Sequence, residues 1–168
     1  HDISFYVFDM PALRSVVGGI HAAVIISGAL IAAVYALRGG LVLDVGRLRA
    51  HPRVRAHLSV LFAFFFLLLA GSAWLDRYDL LLSQQGPVAG ASYADVHAKL
   101  PALLIETVVA VISAALVIFS ITRTRLVLVG LAFVLFVLTD LFAVRAYPAI
   151  VQKFSVQPNE AQREAPFI

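Results

Sequence analysis

Two carboxylates, Glu106 and Asp140, stand inside otherwise apolar runs, "PALLIETVVAVISAALVIF" and "LVGLAFVLFVLTDLFAV". A carboxylate in such surroundings either finds a cation and hydrogen-bond donors or serves as a stepping stone for protons or ions. At 1.5 Å per residue of helix, Glu106 falls about 7 Å inside the end of its run, and Asp140 sits similarly deep. Arg145 and Arg14 are close enough to run ends to snorkel towards them. The expected arrangement is a local polar cluster of Glu106, Asp140, Arg145 and Arg14, with a proton or ion path as the alternative. His21 is a third polar intruder. Gly18, Gly19, Ala22 and Ala23 leave room beside it for a flat ring, so it is the one candidate cofactor ligand. A histidine with a structural hydrogen bond is the commoner case, and no cofactor is expected.

Asp76, Asp79, Asp95 and His97 crowd one connection and could hold a divalent cation. Helix capping and pairing with Arg77 and Lys99 account for them better, and no metal site is expected. Ser92, Asp95 and His97 are too tightly spaced on one segment for a nucleophile, orienter and base. There is no Gly-x-Ser-x-Gly elbow, phosphate-binding Gly-Lys-Ser/Thr loop or His-Glu-x-x-His pair. An enzyme is not expected.

These residues are carried by a lipid-soluble chain. Hydrophobic residues make up 61% and charged residues 14% of 168, with no cysteine. A soluble domain holds about 25% charged residues, and one of this size cannot hide such an apolar excess. The formal charge of +3 is small and scattered, without the basic and aromatic interleaving of a nucleic-acid surface. Lacking cysteine, the chain has no disulfide, thiolate-bound metal or thiol nucleophile.

Four runs are long enough to cross a bilayer as helices, at about 12–37, 54–75, 102–121 and 126–144. The fold class is all-α integral membrane: four transmembrane helices, with a short interfacial helix in the outer connection. Pro11 and Pro52 mark the first two helix starts, and Gly39-Gly40 a left-handed stop. Ser92 and Asp95 have capping-box spacing, and Pro101 is expected to restart the chain into span three. Arg47, Arg49, Arg53 and Arg55 lie between spans one and two, Arg123 and Arg125 between spans three and four. Their excess puts both loops in the cytoplasm and both termini outside, with lipid headgroups as their partners. Residues 1–11 then form an outer interfacial segment and 146–168 an extracytoplasmic tail.

Small residues recur at helical spacing: Gly18, Ala22, Ala29, Ala32 and Ala36 in span one, and Ser59, Ala63, Ala70 and Ala73 in span two. Span three carries Glu106, Ala110, Ser113 and Ala114. They are expected to be seams where helix backbones approach closely.

The blocks "DISFYVFDMPALR", "RAHLSVL", "WLDRYDLLLS", "GASYADVHAKLPAL" and "YPAIVQKFSVQPNEAQREAPFI" occur in order. They resemble consecutive blocks of bacterial multi-pass membrane proteins, uncharacterised protein family 0182. The resemblance implies further membrane helices before this region and a large extracytoplasmic domain after it. The chain would then be the middle of a longer protein or a trimmed relative, as its first residue, His, also suggests. No reaction comes with the resemblance, and Glu106 departs from an apolar residue expected there. The expected function is a non-catalytic membrane anchor or scaffold subunit, its partners being lipids and other membrane subunits or the rest of a longer chain. A transport or lipid-handling component using Glu106 and Asp140 is the alternative.

Overall fold

A computed structural model describes residues 4–44, 47–82, 90–123 and 127–159. Four helices account for most of them: α1 (Phe5–Leu37), α2 (Pro52–Leu82), α3 (Asp95–Arg123) and α4 (Val127–Asn159). Each is long and apolar enough to cross a membrane, which points to a membrane location. At 29–33 residues they reach about 44–50 Å, well beyond a hydrocarbon core of about 30 Å. The all-α fold is the expected one.

Three of the helices, α1, α3 and α4, outrun the apolar runs because internal prolines do not end them. Four π turns, Phe5–Asp9, Asp95–Lys99, Asp140–Ala146 and Gln152–Val156, each finish two residues before a proline: Pro11, Pro101, Pro148 and Pro158. A proline within a helix has no N–H and drives its ring at the carbonyl four residues back. Widening the preceding turn to i→i+5 bonding moves that carbonyl aside, so the helix continues. Pro11 therefore does not begin α1, which already runs from Phe5. The short helix expected after Ser92 forms, and it passes through Pro101 as the first turns of α3. Residues 146–159, assigned from sequence to a tail, are the end of α4, and 160–168 lie outside the described residues. Pro52 does open α2.

Gly39, at φ 70°, stops α1. Its N–H bonds to the Ala36 carbonyl at 3.1 Å, and Gly40 N–H bonds to the Tyr35 carbonyl at 2.8 Å, a Schellman closure. A two-stranded antiparallel hairpin follows, β1 (Leu41–Asp44) against β2 (Arg47–Ala50), in register from Leu41↔Ala50 to Asp44↔Arg47. Hydropathy and charge mark this stretch only as an Arg-rich loop between spans one and two. His51 N–H closes its base on the Gly40 carbonyl at 3.1 Å.

The chain divides into two compact units, His1–Leu68 with Val111–Phe133, and Leu69–Ala110 with Val134–Ile168. In the first, His21 meets Phe65 edge-on at 5.6 Å, and the Tyr35 hydroxyl hydrogen-bonds His57 Nδ1 at 3.0 Å. Phe66, Ser113, Val117, Ser120 and Ala132 are buried there, and Ser113 Oγ donates to the Ala132 carbonyl at 3.1 Å. In the second, Tyr147–Val151 packs against Asp95–Lys99, over a core that includes Leu80, Ala98, Ala102, Leu103, Ala110 and Val156.

Candidate functional site

Glu106, Asp140 and Arg145 all fall in the second unit. Glu106 lies on the buried face of α3, between Ala102 and Ala110, and is only 8% exposed. That face follows from spacing: 98, 102, 106 and 110 repeat every four residues and so share one side of a helix. Asp140, Asp76 and Arg145 all lie within electrostatic reach of Glu106. Arg145 Nε donates to Asp140 Oδ2 at 2.9 Å, with the arginine side chain 71% exposed and the aspartate 28%. Arg145 is thus bonded to Asp140, and Glu106 lies within the field of this ion pair and of Asp76. At Glu106 the positive charge of Arg145 acts against the negative charges of Asp140 and Asp76.

The sequence reading brings Glu106, Asp140 and Arg145 together but misses Asp76. With span two drawn to end at 75, Asp76 falls in the connection, whereas α2 runs on to Leu82. Arg14 is an exposed residue of α1 in the first unit.

Ser92, Asp95, His97 and Arg77, from the connection at 74–101, have structural employment. Asp95, 1% exposed, accepts from Ser92 N–H at 3.1 Å and Ser92 Oγ at 3.0 Å, while Asp95 N–H donates back to Ser92 Oγ at 3.2 Å. His97 stacks on Tyr93 at 4.1 Å, with its Nδ1 on the Tyr93 carbonyl at 3.1 Å. Arg77 lies 3.3 Å above the centre of the Trp74 ring. Among the described residues no group of three or more histidines and carboxylates is placed to hold a metal ion.

Of the packing positions, Ala63, Ala110 and Ala114 are buried, as are Ser59, Ala70, Ala73 and Ser113. The α1 stripe is a correction: Gly18 and Ala22 are exposed, and a Cβ on Gly18 would meet nothing within 4 Å. The apolar window of α1 has no buried residue among those described, and α1 meets α2 through His21 and Tyr35 rather than through Gly18 and Ala22. His21 Nε2 is buried without a hydrogen-bond partner among the described residues, and Phe65 stands against the imidazole. Arg53 is exposed, Arg55 half-buried, and the exposed Arg123 reaches the Phe119 ring at 5.2 Å. Arg47 and Arg49 lie on β2, their side chains outside what is described, and Arg125 lies outside the described residues.

The family model described as uncharacterised protein family UPF0182 matches residues 1–168. The chain belongs to UPF0182. It is 40% identical to a UPF0182 protein of Thermobifida fusca, over 99% of the chain and 16% of the relative. It is 41% identical to one of Streptomyces coelicolor, over 99% and 17%, and 35% identical to one of Geobacter sulfurreducens, over 99% and 19%. The chain thus spans under a fifth of the UPF0182 relatives it matches. No solved structure matches it.

Proposed function

We propose that this part of the UPF0182 protein is a non-catalytic membrane module that anchors and packs a larger protein. In this reading the Arg-rich loops are cytoplasmic and both ends extracytoplasmic. The Glu106, Asp76, Asp140 and Arg145 cluster is a static polar clamp. The supporting observation is the buried face of α3: Ala98, Ala102 and Ala110 in the second unit, and Ser113, Ala114, Val117 and Ser120 in the first. Beyond the capping residue Asp95, Glu106 is the ionisable residue that the described part of this face buries. Close-packed small residues favour tight helix association and leave little room for a water-filled lane beside the carboxylate.

The test is Glu106→Gln combined with Asp140→Asn in the full-length protein. A static clamp needs hydrogen-bonding shape rather than charge, so the double variant should assemble like wild type. Neither protein should carry proton or ion flux in proteoliposomes. Flux through wild type that vanishes in the variant would replace the anchor with a transport role.

A further inference from the structure

The first unit contains a pocket of about 400 Å³ whose walls include Val24 and Gly28 of α1 and Arg55, Ser59, Phe62 and Phe65 of α2. Among the described residues, Arg55 and Ser59 supply its polar side chains. Its place follows from how α1 and α2 meet. Tyr35 is tied to His57, and His21 to Phe65; Val24–Ala29 and Leu58–Phe62 fall between these two ring contacts. The helices leave the stretch between these contacts unfilled, and Leu41, Ala50 and Arg55 complete the wall beyond the Tyr35–His57 contact. Its volume lies in the usual range for small-ligand pockets, roughly 300–1,000 Å³.

The two ends of the pocket differ chemically. Arg55 is one turn into α2, beside the exposed Arg53, and its Nε is buried without a hydrogen-bond partner among the described residues. A buried donor on a cation left unpaired is costly, and a ligand oxygen would remove that cost. From Arg55 to Phe65 the wall runs about 15 Å along the helix at 1.5 Å per residue, and beyond Ser59 it is wholly apolar. A cation at one end and an alkyl-lined channel beyond it fit an anionic amphiphile. A guanidinium fork matches a phosphate better than a point charge does. In a bilayer the abundant anionic amphiphile is a phospholipid.

We propose that this pocket binds one acyl chain of an anionic glycerophospholipid, with the lipid phosphate held by Arg55 and Ser59. The inference rests on the membrane location but not on the anchoring role.

The probes are phosphatidylglycerol and phosphatidylcholine carrying the same photoreactive diazirine at mid-chain, added to the full-length protein in mild detergent. Crosslinked residues are read by peptide mass spectrometry. Both lipids carry the phosphodiester, but the choline cation is repelled by Arg55 and Arg53, so phosphatidylglycerol should label residues 24–29 or 58–65 about tenfold more than phosphatidylcholine. Arg55→Gln should bring the two lipids level. Gly28→Leu should cut labelling by both, since a Cβ there meets nothing within 4 Å and the side chain can fill the pocket. If Arg55→Gln fails to fold, Gly28→Leu decides alone. Equal labelling by both lipids in wild type, labelling that survives the variants, or none in these segments would overturn the proposal. So would a free fatty acid that displaces phosphatidylglycerol at lower concentration. Extraction with alkaline carbonate checks membrane location separately: a chain released by carbonate fails that reading, while a retained chain without selective labelling fails only this one.

Discussion

Arg145 Nε and Asp140 Oδ2 meet at 2.9 Å although five residues separate them. In an α-helix, positions five apart lie about 140° around the axis and do not face each other. Here they meet because Asp140–Ala146 is a π turn, which brings i and i+5 together. With its arginine mostly exposed, the pair contributes little to stability, on the order of 0–1 kcal/mol. Its effect is to fix where the Arg145 guanidinium sits.

Replacing Pro148 removes the reason for the widened turn. Pro148→Ala should let residues 140–146 wind back to α and carry Arg145 away from Asp140. A cysteine pair at 140 and 145 should then oxidise readily in the Pro148 background and poorly in Pro148→Ala, as disulfides need Cα atoms within about 7 Å. Equal oxidation in both backgrounds would show that the turn does not depend on the proline.

Packing should separate two positions that look alike in sequence. Ala114 is buried and Gly18 is open. Ala114→Leu should cost about 1–3 kcal/mol by overpacking and lower the melting temperature in detergent. Gly18→Leu should leave it within error of wild type. A loss at Gly18 in the full-length protein, absent from the isolated chain, would reveal a helix seated there from elsewhere in the protein.

The start of α3 hangs on a reciprocal cap. Asp95→Ala removes the acceptor for both Ser92 donors and should cost about 1 kcal/mol, read from thermal unfolding in detergent. Asp95→Asn keeps an acceptor oxygen and should recover part of the loss. No difference between the two variants would mean that the cap contributes nothing.

Sidedness can be read with single cysteines, since the chain has none of its own. In intact cells Arg53→Cys should resist a membrane-impermeant thiol reagent, and Ala91→Cys should react. The opposite pattern would invert the proposed orientation.

The four helices were legible because long apolar runs have one solution in lipid: every backbone group bonded within its own helix. Ser92 and Asp95 were legible for the same local reason, as cap chemistry depends on neighbours in sequence. What the sequence hid depends on partners. The stripes of α2 and α3 are buried, while an equally regular stripe on α1 is exposed, and nothing in the spacing of Gly18 and Ala22 separates the two cases. Asp76 escaped because hydropathy marks where apolar residues end, not where the helix does. Arg55 read as one of several loop arginines, and only the fold places it at the head of an apolar channel. The hairpin at Leu41–Ala50 was missed because its "LVLDVGRLRA" is too short and too charged to stand out beside the spans.

The widened turns also couple local chemistry to distant docking. Each carries one residue more than an α turn requires, and one residue is about 100° of rotation. Closing the turn before Pro148 would therefore act as a twist as well as a straightening. The segment Tyr147–Val151, which packs on Asp95–Lys99, would be swung round to offer a different side to its seat. A substitution at a single imino acid can thus exert torque on a contact it never touches.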